Sequence, residues 1–465
     1  MNARFKLPLH FLCLLVIVLR AAGLAAPARS ASLDLQDGDT VVFLGDSITH
    51  QCLYTQYVED FFHTRFPERR IHFHNAGVGG DKAADVLARF DDDVAAFRPK
   101  YVTVLLGMND GQYEDFKPEI FATYAADMTR TLERIKAIGA TAILLSPTMF
   151  DFPVVEWRKD DATYRFRGQP RSPNYNAVMA YFGAWGRSQA YERSLPFVNL
   201  WGPLNDFTAQ ERAEHPRFTL LSDAIHPGPG GHVIMAAAMI DTLQADRRSV
   251  SAINLTRAGG QWRPPPRAKI ERLEGTATHV SFTFTSAALP WVIPSEGSAV
   301  ATKWNWPEDA RLGFELTKAG HRLSNEMVRL AGLEPGSYEI KIDGQPIGKP
   351  VPHVLLGAKI ELQANENTPE YQQSLRVALL NRERNDQAVR PLREVWAKVK
   401  GARKKFADAP EQFAKFMADT RPEIDHLVKL ARDYEDRIHA AAQPVPRHYE
   451  ITRVTGPAAG SSTKK

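Results

Sequence analysis

The chain has 465 residues, of which 44% are hydrophobic and 24% are charged. This composition is typical of a globular protein and suffices for two or three domains. Only Cys52 remains after residue 26, which excludes an internal disulfide in the exported protein. The formal net charge of +4 is weak evidence for nucleic-acid binding.

Residues 1–26 have the pattern of a secretory signal peptide. Two basic residues precede an apolar run that is short for a membrane span and ends at Arg20. An uncleaved anchor is the less favoured alternative. Cleavage removes three basic residues and no acidic one, which lowers the net charge from +4 to +1. We therefore predict an exported protein, periplasmic or extracellular, with no integral membrane span after signal removal and no nucleic-acid partner.

From Thr40 to about residue 250, strand-like runs alternate with helical patterns. Alternation on this scale predicts βαβ units and a three-layer α/β/α domain with a parallel sheet. Right-handed crossovers allow few topologies, of which we favour the flavodoxin-like strand order 2-1-3-4-5. The predicted strands are 40–44, 71–75, 101–106, 141–146 and 196–200, and the helical patterns cover 54–66, 82–97, 118–138, 173–193 and 230–245.

Small and polar residues follow the first three predicted strands. The strands run into Gly45-Asp46-Ser47, into Gly77-Val78-Gly79-Gly80-Asp81 and into Gly107-Met108-Asn109-Asp110, and Asp223-Ala224-Ile225-His226 precedes the last helix. The carboxyl ends of parallel strands meet at one edge of a sheet. We therefore expect one rim to bring together Ser47, Gly80, Asn109, Asp223 and His226.

Each of these residues has a chemical use on such a rim. A serine hydroxyl is a poor nucleophile unless a base takes its proton, and His226 can act as that base near neutral pH. Asp223 is close enough in sequence to hold the imidazole tautomer. The backbone N–H groups of Ser47 and Gly80 and the side-chain amide of Asn109 suit an oxyanion hole.

The four blocks resemble, in the same order, the motifs of the SGNH (GDSL-type) hydrolases over residues 40–246. The resemblance implies a flavodoxin-like domain that hydrolyses esters without a metal or other cofactor. It also implies Ser47 as nucleophile, His226 as base, Asp223 as its orienting acid, and Ser47, Gly80 and Asn109 as the oxyanion hole. Ile48 and Met108 are mild departures from the family pattern.

Other acidic and histidine residues have simpler interpretations. His72 and His74 mimic a metal-binding pair, but no third ligand follows at a suggestive spacing, so two ordinary strand histidines are favoured. The run 91–93 is interpreted as a solvated acidic face. Asp81 and Asp110 are interpreted as carboxylates that cap helices or fix loops. We predict no metal site.

The connection between Pro147 and Ser172 is long, aromatic and rich in arginine. Long loops in compact domains are often functional, and we expect Trp157 and Tyr164 to contact a polar substrate. The alternative is a lid that packs on the domain for structure alone.

After residue 250 the sequence changes in character. Short strand-like runs with turn signals predict a β-rich accessory module over residues 267–365, and a polar helical extension covers 366–445 with helix starts at Pro410 and Pro422. Residues 446–465 are predicted to be a tail, partly disordered. Trp291, Trp304 and Trp306 suit sugar stacking, but core packing is favoured. The hydrolase domain is assigned to 32–250, and the proposed chemistry should not need the later segments.

The sequence therefore leads to the hypothesis of an exported serine esterase that acts through an acyl-enzyme on a small-molecule or polysaccharide ester. The favoured substrate is an O-acetyl or other short acyl ester on carbohydrate. The alternatives are a lipase, thioesterase or acyltransferase of the same fold, a non-catalytic glycan-binding protein, and a metallohydrolase. No feature of the sequence specifies an oligomeric state.

Overall fold

The computed structural model describes residues 33–454, apart from 244–248, 267–268, 296, 299–300 and 303–308. The predicted signal peptide, Trp304, Trp306 and the chain after residue 454 lie outside the described residues.

A parallel sheet of five strands forms the first domain. The strands are β1 (Thr40–Gly45), β2 (His72–Gly77), β3 (Tyr101–Leu105), β4 (Thr141–Leu145) and β5 (Phe197–Val198), and the helices are α1 (Ser47–His50), α2 (Leu53–Arg65), α3 (Ala83–Asp93), α4 (Pro118–Ala137), α5 (Phe152–Arg158), α6 (Tyr175–Glu192), α7 (Trp201–Arg212) and α8 (Pro229–Leu243). The sheet has the order β2-β1-β3-β4-β5, which confirms the predicted topology. Every residue of β1 is buried, as expected for a strand covered on both faces by helices. Gly45 pairs with both Gly77 and Leu105, so three strands end at one level.

Two further sheets form a β-rich region after α8. Its elements are β6 (Ser251–Ala258), β7 (Gln261–Arg263), β8 (Ile270–Gly275), β9 (His279–Phe284), α9 (Ala310–Leu316), α10 (Ala319–Leu323), β10 (Glu326–Ala331), β11 (Ser337–Ile342), β12 (Gln345–Pro346), β13 (Val351–Pro352), α11 (His353–Ala358), β14 (Ile360–Glu361) and β15 (Arg447–Arg453). One sheet has the order β14-β10-β6-β7, and the other has the order β12-β11-β15-β9-β8, with β13 paired to β11. Buried side chains alternate along β10 and β11, and one apolar cluster joins the two sheets.

The structure differs from two predicted boundaries, the start of the β-rich module and the start of the C-terminal tail. The segment before residue 267 contains β6 and β7, and β6 pairs in parallel with β10. The predicted tail contains β15, which lies between β11 and β9. Its Tyr449 is buried and stacks on Phe282 with ring centroids 5.2 Å apart. The tail prediction is wrong for 447–453 because a short strand is stabilised by partners more than a hundred residues upstream.

Three helices follow the β region: α12 (Pro369–Arg384), α13 (Arg390–Lys405) and α14 (Pro410–Ala442). A π-helical turn at Asn385–Val389 joins the first two. The predicted start at Pro410 is confirmed, whereas the predicted start at Pro422 is wrong because Pro422 lies inside α14. A proline removes one backbone donor, and here the buried Ile424 and Leu427, which cluster with Trp396 of α13, stabilise the helix beyond it.

The later segments pack directly on the parallel-sheet domain. Gly313 of α9 has no room for a Cβ atom, which would overlap the carbonyl of Gly230 at the start of α8, so the two helices cross at backbone contact distance. Trp291 is buried, with its ring edge-on to Phe61 of α2 at 6.0 Å. Core packing of this tryptophan is therefore confirmed.

Candidate active site

Ser47 stands at the junction between β1 and α1. Asp46 caps the helix, because its side chain accepts a hydrogen bond from the N–H of Ile48 at 2.9 Å. Gly45 leaves no room for a Cβ, which would overlap the Thr49 side chain. This tight turn presents Ser47 at the carboxyl edge of the sheet, next to unpaired N–H groups of a helix N-terminus.

A continuous hydrogen-bond chain joins the three residues predicted for catalysis. His226 Nε2 lies 2.8 Å from Ser47 Oγ, and His226 Nδ1 lies 2.7 Å from Asp223 Oδ2. The His226 and Asp223 side chains are 16% and 22% exposed. The imidazole is therefore held by the acid on one side and reaches the serine on the other.

The turn that carries Asp223 also fixes its charge state. Asp223 Oδ1 accepts hydrogen bonds from the N–H groups of Ile225 at 3.0 Å and His226 at 2.7 Å. Burial opposes ionisation, but His226 and these two donors outweigh it and lower the pKa of Asp223. Ala224 adopts a positive φ of 74°, so the turn holds local strain. The acid thus remains ionised beside the imidazole.

Gly80 and Asn109 approach the same edge. Gly80 has a φ of 71°, and its N–H donates to no protein group in the described part of the chain. Asn109 Nδ2 lies 3.1 Å from the Asp81 carbonyl oxygen and 3.3 Å from Asp46 Oδ2, while its Oδ1 accepts from the Tyr113 hydroxyl at 3.1 Å. The amide is thereby oriented, and a reaction oxyanion would have to share its hydrogens with these two acceptors.

The two carboxylates interpreted as loop-fixing residues do fix loops. Asp110 accepts from the N–H of Ala83 at 2.9 Å and from that of Gly107 at 3.1 Å. Asp81 is buried and pairs with Arg89 at 2.7 Å. Burial raises the pKa of Asp46 to about 7 and that of Asp110 to about 6, against the hydrogen bonds that each accepts.

The long loop supports the segment that carries Asp223 and His226. The Tyr164 hydroxyl donates to the Asp223 carbonyl at 3.2 Å, and Arg158 donates to the Ser222 carbonyl at 2.9 Å. Tyr164 is only 4% exposed, so it presents little surface to a substrate. The Trp157 ring lies beneath the guanidinium of Arg212 at 5.0 Å. Substrate contact by these two aromatic residues stays a prediction.

Two residues near the site were not singled out by the sequence. Phe166 lies nearly parallel to the His226 ring, with ring centroids 6.5 Å apart. Its position in the long aromatic loop was the feature of the sequence that could have indicated a place near His226. Lys400 of α13 lies with its Nζ 2.7 Å from Asp81 Oδ1 and 3.3 Å from the Gly79 carbonyl oxygen. Nothing in the local sequence of a polar helix distinguishes this lysine.

The strand histidines have carboxylate partners. His72 Nδ1 lies 2.8 Å from Glu435, and His74 Nε2 lies 3.0 Å from Asp93. Within the described ranges, no group of three or more His, Cys, Asp or Glu side chains is arranged to hold a metal ion. The prediction of a solvated acidic face is wrong for Asp93, which is completely buried and pairs with Arg89 and Arg393.

Comparison with known proteins decides the family. Residues 43–234 match the model of the GDSL-like lipase/acylhydrolase family. This segment is a GDSL-like acylhydrolase domain. The GDSL domain contains Ser47, Gly80, Asn109, Asp223 and His226, and the protein is a serine ester hydrolase. The resemblance indicated by the four motif blocks is thus confirmed.

Two relatives cover different lengths of the chain. An acetylxylan esterase from Geobacillus stearothermophilus is 25% identical over 230 residues, which cover 45% of this chain and 95% of the relative. The solved structure of a gut microbial diltiazem-metabolizing enzyme aligns with a TM-score of 0.76 and 22% identity, covering 92% of this chain and 100% of its own. The second comparison shows that the fold extends well beyond the GDSL domain. Among the described residues, no helix is both long and apolar enough to cross a membrane.

Proposed function

We propose that the protein is an exported esterase that removes short acyl groups, with acetyl favoured, from carbohydrate esters through a Ser47-His226-Asp223 triad. The observation that carries the proposal is the hydrogen-bond chain from Ser47 Oγ to His226 at 2.8 Å and from His226 to Asp223 at 2.7 Å. The same constellation catalyses acyl transfer on unrelated folds.

The proposed triad implies a path for the proton. Ser47 Oγ attacks the ester carbonyl while His226 Nε2 takes its proton, and the resulting imidazolium is stabilised by the ionised Asp223 at Nδ1. The tetrahedral oxyanion receives hydrogen bonds from the Ser47 and Gly80 N–H groups and from the Asn109 amide. His226 returns its proton to the leaving alcohol, and water then attacks the acyl-enzyme by the reverse sequence of proton transfers.

The choice of a carbohydrate ester rests on three observations. The relative over the GDSL domain is an acetylxylan esterase, residues 1–26 have the pattern of a secretory signal, and the loop beside His226 combines aromatic rings with cations. Phe166 lies 6.5 Å from the His226 ring. Aromatic rings with polar neighbours suit a hydrated sugar substrate better than an extended acyl chain.

A substrate screen tests this proposal. The full-length mature enzyme is assayed on acetylated xylan oligosaccharides and on 4-nitrophenyl acetate, butyrate and palmitate, with free acid measured as product. We expect acetate release from the oligosaccharides and the highest kcat/KM with the shortest acyl chain. Preference for palmitate would instead assign a lipase, and loss of ester without release of free acid would assign an acyltransferase.

A further inference from the structure

We propose that Arg165 and Arg171 form an anion-binding subsite on the rim of the candidate active site, and that the natural ester carries a carboxylate near its scissile bond. The proposal rests on the function proposed above and narrows its substrate class to acidic esters. It is carried by the position of the two guanidinium groups and by the lack of a carboxylate partner for either.

Arg171 lies between the two halves of the catalytic apparatus. Its guanidinium carbon is 3.9 Å from the centre of the Tyr113 ring and 5.2 Å from that of the Phe166 ring. Tyr113 donates to Asn109 at 3.1 Å, on the oxyanion side. Phe166 faces His226 at 6.5 Å, on the side of the base. The charge is therefore held beside the place where the ester must lie.

Arg165 adds a second cation to the same rim. Its guanidinium carbon is 5.3 Å from the Phe166 ring centre, and the residue is exposed. One aromatic ring thus carries two guanidinium groups. Stacking on aromatic rings limits the orientations of a guanidinium and leaves its edge free to donate.

Neither positive charge is neutralised within the described part of the chain. Arg171 Nη2 donates to the neutral side chain of Gln169 at 2.7 Å, and its buried Nε makes no hydrogen bond. Two nearby arginines differ in this respect, because Arg158 lies 2.9 Å from Asp161 and Arg212 lies 2.6 Å from Asp151. The guanidinium of Arg171 therefore keeps a positive charge without an anionic partner among the described residues, and a carboxylate that approaches its exposed Nη edge would supply one.

The chemistry of the pair specifies a carboxylate. A guanidinium presents parallel N–H donors that match the two oxygens of a carboxylate. Two sources fit this chemistry: the acid group of an acetylated uronic acid on the alcohol side, and the free acid of a dicarboxylate half-ester on the acyl side.

Matched ester pairs test the proposal. The first pair is 4-acetoxybenzoate and its neutral methyl ester, which places the charge on the alcohol side, and the second is 4-nitrophenyl hemisuccinate and 4-nitrophenyl butyrate, which places it on the acyl side. For one of the two pairs, the ratio of kcat/KM for the anionic to the neutral ester should fall about tenfold or more in R171Q. The loss should lie mainly in KM, and the pair affected identifies the source.

Arg167 supplies the matched control. It is exposed on the same loop, and its side chain makes no hydrogen bond or ring contact within the described residues. R167Q removes the same charge and should leave the ratio unchanged. An equal fall in both variants would overturn the subsite in favour of general electrostatic attraction, as would a wild-type ratio near one for both pairs.

The design separates this proposal from the esterase proposal. Hydrolysis of the neutral esters by the wild type tests the esterase alone, so its absence would defeat the proposed function. If R171Q folds poorly, R165Q takes its place, because Arg165 is exposed and packs on one ring only. A ratio unchanged in R165Q as well would overturn the subsite.

Discussion

Charged side chains differ in solvent exposure between two sides of the GDSL domain. At the edge that carries the candidate active site, His226 and Asp223 keep 16% and 22% of their side-chain surface exposed, and Arg171 is only half-buried. On the flank covered by the C-terminal helices, Arg384 and Arg393 are 2% and 0% exposed. The partly exposed charges can contact a ligand, whereas the buried ones are already paired with charges of the protein itself.

The buried charges join segments that are far apart in sequence. Arg384 of α12 lies 3.1 Å from Glu59 of α2 and 3.0 Å from Glu435 of α14. Arg393 of α13 lies 2.8 Å from Asp93 of α3. Removing one partner of a buried pair leaves an uncompensated charge. The C-terminal helices are therefore part of the structural support of the GDSL domain, and a protein shortened to residues 32–250 should be unstable even though it retains the proposed catalytic residues.

The two sides meet at Asp81. Its Oδ2 accepts from Arg89 at 2.7 Å within the GDSL domain, and its Oδ1 lies 2.7 Å from Lys400 of α13. Asp81 follows Gly80, a proposed oxyanion donor. The helices therefore contact the edge of the candidate active site through Asp81, and none of their described residues belongs to the proposed triad.

The largest expected effect is a loss of activity on substitution at the candidate active site. Ser47→Ala should lower kcat by several powers of ten, since loss of a triad nucleophile removes the covalent route. Unfolding by heat should be unchanged, because Ser47 is bonded to the partly exposed His226. Wild-type labelling by a fluorophosphonate at Ser47, absent in the variant, is the accompanying measurement. A folded variant with more than about a tenth of wild-type activity would exclude Ser47 as nucleophile.

On the helical flank, Arg393→Met should lower the free energy of unfolding by roughly 3–5 kcal/mol. The matched control is Arg421→Met, since Arg421 pairs with the neighbouring Asp92 but both are over 40% exposed. That control should change stability by less than about 1 kcal/mol. Urea denaturation measures the free energy of unfolding of both variants. Equal losses in the two would contradict the distinction between buried and exposed charge pairs.

Asn109→Ala should lower kcat about a hundredfold, or roughly 3 kcal/mol, with little change in KM, as for loss of one oxyanion donor. Stability should change less than catalysis, because Asn109 is only half-buried and one of its two Nδ2 contacts, at 3.3 Å to Asp46, exceeds the usual hydrogen-bond length. Steady-state kinetics with 4-nitrophenyl acetate measures kcat and KM separately. A rise in KM alone would make Asn109 a ground-state binding residue instead.

The smallest expected effect is a loss of stability at acidic pH. Burial opposes ionisation of Glu435, but Arg384, His72, Arg432 and the Phe73 N–H outweigh it and lower its pKa from 4.5 to about 2. A depressed carboxylate pKa contributes stability above 4.5 that is lost as pH falls towards 2. At pH 3 the wild type should have lost about 2 kcal/mol of this contribution. Glu435→Gln should lack this part of the pH dependence, and the same slope in both proteins would contradict the assignment.

Local sequence predicted the elements of the GDSL domain and the residues that meet at the carboxyl edge of its sheet. The run Thr40 to Leu44 is apolar enough for a doubly covered strand, and the turn after it must place Ser47 at the carboxyl end. The parallel topology then brings His226 to within 2.8 Å of Ser47, although 179 positions separate them. Chain order and strand periodicity sufficed here because connections in parallel sheets have one preferred hand.

Tertiary packing decided the rest. Asp93 ends an acidic run that resembles a solvated surface, but Arg393, 300 positions away, buries it. The strand Arg447–Arg453 has ordinary local sequence and becomes internal because β9 and β11 both offer it a free edge. Pro422 stays helical because Trp396, Ile424 and Leu427 pack together. Sequence periodicity reports which face of a segment is apolar, whereas the choice of partner for that face, and for a charge, is made only when distant segments compete to be buried together.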